Sequence, residues 1–85
     1  MQETFTVRLI LYAIFQEVIG VTDLAWSVSP GTTVAELCDQ LLHHYPALTR
    51  WRDQIRFGVN LEFVTPETVL APGDEVVFIP PVSGG

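Results

Sequence analysis

One amphipathic helix set among short alternating segments is the feature that most limits how this chain can fold. Thr33-Val34-Ala35-Glu36 matches a capping box, in which Thr33 caps the first turn and Glu36 reaches back. We expect the helix to end before Pro46, because the residue preceding a proline avoids the α region. Its apolar residues recur every three or four positions and form one stripe: Val34, Leu37, Cys38, Leu41, Leu42 and Tyr45. A helix with one apolar stripe must bury it against another element, and most of the remaining chain has the pattern of strands.

Four segments predict those strands. Residues 4 to 12 alternate cleanly, and shorter runs follow at 23 to 29, at 55 to 64 with a break, and at 75 to 79. Residues 13 to 20 fit either a short helical turn or an ordered loop. One helix on one face of a mixed sheet is an α+β arrangement. With the first and last strands paired centrally, this order is that of the β-grasp of ubiquitin-like domains, over residues 1–79, followed by a tail at 80–85.

The tail itself is unusual in composition. Pro80 and Pro81 remove two backbone donors and stop the strand ladder, and they favour an extended chain. Val82 and Ser83 then lead to Gly84 and Gly85, so we expect a narrow thread with a bare carboxylate at its tip. Six extended residues reach about 20 Å. Such a thread fits a channel in another protein, and the alternative is a frayed terminus.

Composition limits the function classes. The 85 residues suit one small domain, and a net charge of −6 disfavours nucleic acid and favours a basic partner. A single cysteine excludes an internal disulfide and suits a reducing, cytoplasmic setting. We also expect no membrane span and no signal peptide. The sequence contains no lysine, which would protect an activated tail from self-acylation, although genomic composition bias explains this equally well.

The remaining chemically active side chains predict no catalytic site. His43 and His44 are adjacent in the last helical turn, so they are not spaced as a chelating pair, and we expect no bound metal. Cys38 falls on the apolar stripe and is expected to be a small buried hydrophobe. The carboxylates are scattered without catalytic spacing. We expect no cofactor bound by the isolated chain.

An apolar group on the sheet face away from the helix predicts a partner surface. A sheet covered by one helix leaves that face open to water, and exposed apolar clusters mark interfaces. The alternative is that residues 13 to 20 or 61 to 70 fold over it. The predicted interface residues are Ile10, Tyr12, Phe63, Val77 and Ile79.

Several motifs together resemble a known family. The ending Phe78-Ile79-Pro80-Pro81-Val82-Ser83-Gly84-Gly85, preceded by Gly73-Asp74-Glu75-Val76, resembles the C-terminal signature of molybdopterin synthase small subunits, sulfur carriers of the MoaD/ThiS-like family. Weaker similarities are Tyr12-Ala13 with Glu17 and Gly20, and Val59-Asn60 with Glu62. Gln16 and the pair Ile14-Phe15 depart from the family pattern, which puts loop contacts in doubt but not the tail.

The resemblance implies a sulfur carrier rather than a self-sufficient enzyme. It implies that an E1-like adenylyltransferase uses ATP to adenylate Gly85, and that a sulfur donor then leaves a thiocarboxylate. It also implies a large subunit that supplies the active site for a pterin precursor, in a heterotetramer. By the resemblance, Gly84 and Gly85 carry the chemistry, residues 80 to 83 deliver it, and Tyr12, Phe63 and Ile79 dock. Two alternatives stay open: a carrier for thiamine, cysteine or tRNA thiolation, and a ubiquitin-like conjugating or interaction module.

Overall fold

A computed structural model describes residues 3–81 of the chain. In order, they form β1 (Phe5–Ile10), α1 (Ala13–Ile19), β2 (Asp23–Val28), α2 (Val34–His44), a 3₁₀ helix (Pro46–Gln54), β3 (Arg56–Val59), β4 (Glu62–Val64) and β5 (Glu75–Ile79). The strands make one five-stranded sheet in the order β2-β1-β5-β3-β4. β1 and β5 are parallel neighbours in the centre, and the other pairs are antiparallel. The predicted α+β, β-grasp architecture is therefore confirmed.

The start of α2 is fixed by several hydrogen bonds. The Thr33 hydroxyl accepts from the amide of Glu36, and the Glu36 carboxylate accepts from the amide of Thr33 at 2.9 Å, so the capping box is present. The amides of Val34 and Ala35 donate to the carbonyls of Thr68 and Pro66. The first helical amides are thus satisfied partly by their own cap and partly by the segment before β5.

The stripe of α2 packs on one face of the sheet. Val34, Leu37, Cys38 and Leu41 are all fully buried. They share the core with residues from the three central strands, namely Val7, Leu9, Phe57, Val59, Val76 and Phe78.

The segment 13 to 20 is a helix, the first of the two predicted alternatives. Its Phe15 is fully buried, and the ring lies 6.1 Å from that of Phe78 in the core. α1 therefore lies on the same side of the sheet as α2. The alternative in which this segment covers the opposite face is therefore not observed, because its one large buried side chain, Phe15, packs in the core.

The first strand is shorter than predicted. It ends at Ile10 rather than at residue 12, although the amide of Leu11 still donates to the carbonyl of Thr22. Tyr12 is the N-cap of α1, and Ala13 follows with a φ of 50°. The alternation of the sequence continues beyond the point where the backbone turns into the helix.

The turn before β5 is type II, one of the two predicted types. The amide of Asp74 donates to the carbonyl of Ala71, and Gly73 has a φ of 80° at the third position. Pro72 supplies the restricted φ of the second position. Among residues 3–81, none of the helices is both long enough and apolar enough to cross a lipid bilayer.

Candidate functional site

The tail leaves the domain from a central, well-anchored strand. β5 has β1 on one side and β3 on the other, and its last paired residue is Ile79, opposite Arg56. One residue earlier, Phe78 is fully buried, and its ring lies 5.8 Å from that of Phe57. Removing a buried phenylalanine ring costs about 3–5 kcal/mol. The position from which the tail starts is therefore set by the core.

The two prolines lie where the ladder stops, as predicted. Pro80 and Pro81 are outside the strand and half-buried. They line a surface groove together with residues 53 to 56 and Phe63. The remaining predicted tail residues, Val82, Ser83, Gly84 and Gly85, lie outside the described residues, so their delivery and chemical roles stay predictions.

A polar cluster fastens the beginning of the same strand. The Asn60 side chain donates to the Asp74 carboxylate at 2.9 Å and accepts from the amide of Glu75 at 3.0 Å. The backbone amide of Asn60 donates to the carbonyl of Glu75 at 2.8 Å. The Asp74 carboxylate also accepts a hydrogen bond from the backbone amide of Ala71. This cluster joins the β3–β4 turn to β5. These hydrogen bonds explain in structural terms why an asparagine follows Val59. In the sequence, Val59-Asn60 was identified only through its similarity to a known family.

The sheet face opposite the helices carries the predicted apolar group. One row across the sheet pairs Ile10 with Val77, Val77 with Gly58, and Gly58 with Phe63. The residues that precede Ile10, Val77 and Gly58 along their strands are in the core. Because side chains alternate between the two faces of a strand, the row itself lies on the face away from the core. Ile10, Val77 and Ile79 are partly exposed, and Phe63 is 76% exposed. We call this group the open face, defined as Ile10, Gly58, Phe63, Val77 and Ile79.

Neither of the segments suspected of covering the open face does so. The helix at 13 to 19 packs on the core side, and in the segment 61 to 70 the side chains of Leu61 and Phe63 are themselves exposed. Tyr12 was predicted to lie on this face at the end of the first strand. It is instead the N-cap of α1 and is 54% exposed. Its side chain remains available to a partner even though it is outside the strand.

Charged side chains border one end of the open face. Arg8 lies 2.8 Å from the Asp23 carboxylate and 4.0 Å from that of Glu75. The hydrogen bond that Arg8 donates to the Asp23 carboxylate, reinforced by the charge of Asp23, raises the pKa of Arg8 above its ordinary value. Since these groups are exposed, the contacts contribute little to stability and mainly define a polar border.

The histidines and the cysteine are placed as predicted. His43 and His44 are exposed in the last turn of α2, where His44 meets the Trp26 ring edge-on at 5.3 Å. Cys38 is fully buried, and desolvation raises the pKa of its thiol to about 12. Within the described range, no three His, Cys, Asp or Glu side chains are grouped to hold a metal ion.

Sequence reasoning missed two residues, one within the open face and one beside it. Gly58 lies in the open-face row inside β3, and Leu61 is 92% exposed in the β3–β4 turn. A glycine within an alternating segment, and a leucine directly after an asparagine in a two-residue turn, are the signals that could have identified them.

Comparison with known proteins identifies relatives over most of the chain. The model of the ThiS family matches residues 9–85. A human molybdopterin synthase sulfur carrier subunit is 35% identical over 82 residues, covering 93% of this chain and 93% of that protein. The corresponding protein named for Mycobacterium tuberculosis is 48% identical over 59 residues, or 68% of this chain and 70% of that protein. The crystal structure of small archaeal modifier protein 1 from Haloferax volcanii has a TM-score of 0.80 and 29% identity, covering 92% of this chain and 99% of that one.

Proposed function

Because this chain belongs to the ThiS family, we propose that it is the sulfur carrier subunit of a molybdopterin synthase. The observation that carries the proposal is the similarity to the human molybdopterin synthase sulfur carrier subunit, which covers 93% of both chains. The family match runs to residue 85 and so includes Gly84 and Gly85. The anchored β5 strand and the adjoining open face support it, because a carrier needs a reactive end and a surface that aims it.

The proposed chemistry takes place at the Gly85 carboxylate. An E1-like enzyme joins this carboxylate to the α-phosphate of ATP and releases pyrophosphate, because a free carboxylate is a poor electrophile and a mixed anhydride is a good one. A sulfur donor then supplies hydrosulfide, whose sulfur forms the C–S bond as the C–O bond to AMP breaks, so AMP leaves and no oxidant or reductant is needed. The product is a thiocarboxylate, whose ionised sulfur is the nucleophile for the pterin precursor.

In this proposal the domain itself contributes position rather than catalysis. The large subunit supplies the active site, and Pro80, Pro81, Val82 and Ser83 carry Gly84 and Gly85 into it. We further propose that Ile10, Tyr12, Phe63, Val77 and Ile79 dock on the large subunit within a cytoplasmic heterotetramer. ATP is bound by the activating enzyme, and the isolated chain binds no cofactor.

The direct test is the mass of the C-terminal peptide. The chain is coexpressed with an E1-like adenylyltransferase and a sulfur donor, purified and cleaved with a protease, and the mass of its C-terminal peptide is measured. Replacing one oxygen by sulfur adds about 16 Da to the Gly85 peptide. The matched control is a chain lacking Gly85, which should fold normally and gain no sulfur. Sulfur transfer by that truncated chain would contradict the proposal.

The docking surface has its own test. Phe63→Ser should weaken binding to the large subunit by about tenfold or more, since exposed aromatic anchors dominate interfaces. It should change the free energy of unfolding little, because the ring is already 76% exposed. Val69→Ser is the matched control, since Val69 is 58% exposed but bridges to Thr33 at the start of α2. Equal affinities for the two variants would count against this docking surface.

A second candidate is conjugation to other proteins. It is favoured by the similarity to small archaeal modifier protein 1. In that case the activated Gly85 forms an amide with a lysine of another protein instead of receiving sulfur. Mass spectrometry of cellular adducts distinguishes the two, because conjugation leaves the C-terminal segment of this chain attached to target lysines through an amide bond. After trypsin, which cleaves last after Arg56, that segment is residues 57–85.

A further inference from the structure

Gly58 is not required by the packing of the domain. It lies inside β3, where a glycine costs about 0.5–1 kcal/mol relative to alanine. A β-carbon at this position would lie 3.5 Å from the carbonyl oxygen of Glu62 and 3.8 Å from the β-carbon of Val77, which are ordinary contact distances. Its φ is not in the left-handed region either. The fold would accept an alanine here, so the absence of a side chain needs another reason.

Gly58, whose backbone is buried, lies at the floor of a groove. The groove has a volume of about 160 Å³ and is lined by Gly58, Leu61, Glu62, Phe63, Val77 and Ile79. In the sheet, Gly58 lies directly between Val77 and Phe63, so the two flanking side chains have no neighbour filling the gap between them. An apolar cavity of about 150 Å³ is large enough for one benzene ring. A methyl group on Gly58 would stand on the floor of this space.

Leu61, at the rim of the same groove, is a second residue that is unfavourable for the stability of the fold. It has a φ of 70° as the second central residue of the turn between β3 and β4, after Asn60 at 52°. This type I′ geometry strongly prefers Asn-Gly, because a side chain in the left-handed region is strained. Leu61 is also 92% exposed, so its side chain gains almost nothing from the domain itself. Strain that the fold does not use is typical of a binding site.

We propose that this groove is a socket for one apolar side chain of the synthase large subunit, with Gly58 as its floor and Leu61 packing on the same partner. The inference rests on the proposed function and extends it from a docking face to a specific pocket. The position of the tail identifies the occupant. Ile79 lines the groove and Pro80 begins the tail, whose six residues reach about 20 Å at most. The protein that holds the Gly85 end during sulfur transfer therefore lies beside the groove.

The test measures folding and binding on the same variants of the full chain. Gly58→Ala should raise or preserve the urea midpoint of unfolding while weakening binding to the purified large subunit by about tenfold. Leu61→Gly should also raise or preserve the midpoint, because it relieves the left-handed strain, and should weaken binding by about fivefold. Ser27→Ala, at an exposed position on the far edge strand β2, is the control and should change neither quantity beyond error.

Lower affinity for the large subunit together with an unchanged or higher unfolding midpoint is the signature of the socket. Wild-type affinity in both variants would overturn it while leaving the carrier function intact. Loss of affinity for the E1-like enzyme alone would also overturn it, because the occupant would then be that enzyme. If Gly58→Ala lowers stability, Leu61→Gly decides the outcome. Failure of the wild-type chain to acquire sulfur would instead refute the proposed function, so the two failures are distinguishable.

Discussion

Replacing Asn60 should reveal how the start of β5 is held. Asn60→Gly removes two side-chain hydrogen bonds, one to Asp74 and one from the amide of Glu75, and keeps the left-handed turn without strain. At about 0.5–1 kcal/mol for each exposed bond, the free energy of unfolding should fall by about 1–2 kcal/mol. Asn60→Ala loses the same bonds and also places a β-carbon at a φ of 52°, which costs about 1 kcal/mol more.

The assay is urea unfolding followed by tryptophan fluorescence. The order of midpoints should be wild type, then Asn60→Gly, then Asn60→Ala, with unchanged slopes, since the surface exposed on unfolding is the same. Gln54→Ala is a suitable control, because Gln54 is also an exposed polar residue and has no part in the cluster around Asn60. If Asn60→Ala is as stable as Asn60→Gly, the strain argument is refuted. If both equal the wild type, the hydrogen bonds do not fasten β5.

Three further outcomes are expected elsewhere in the domain. Thr33→Ala should lower the free energy of unfolding by about 1 kcal/mol through loss of the cap on α2, while Thr33→Ser retains most of it; urea unfolding measures both. The buried Cys38 should resist iodoacetamide in the native state at pH 8 and react once the chain is unfolded, which mass spectrometry detects; rapid native labelling would contradict its burial. Because burial raises the pKa of the Cys38 thiol from 9.0 to about 12, the unfolded chain loses this proton first as pH rises. The free energy of unfolding should therefore fall between pH 9 and 12, by at most about 1.4 kcal/mol per pH unit, and the same titration of Cys38→Ala should lack this component.

The elements with strong local signals were predictable from the sequence. The capping box and Pro46 bounded α2 because both act through the backbone of their own neighbours. β5 was predicted with its observed ends for the same reason, since a turn precedes it and Pro80 follows it. In contrast, α1 has no side-chain cap and no acidic residue in its first turn, so its sequence does not separate a helix from a loop.

The predicted site was incomplete for a different physical reason. Phe63, Val77 and Ile79 follow from period-two alternation, which assigns side chains to faces. Gly58 has no side chain to assign, and the exposure of Leu61 depends on the handedness of a turn without the usual Asn-Gly signal. Tyr12 was assigned to a strand because alternation does not register where the backbone bends into α1. The groove arises only when three strands are placed side by side.

The central position of β5 has a mechanical consequence. A pull on the tail, applied along the strand, loads the hydrogen bonds to β1 and β3 together in shear rather than opening them one at a time from an edge. The Phe78 ring also packs between the rings of Phe15 and Phe57, and this packing resists sliding of β5 along its own axis. Tension applied at Pro80 therefore acts on the central strands together and does not unravel the domain from one edge.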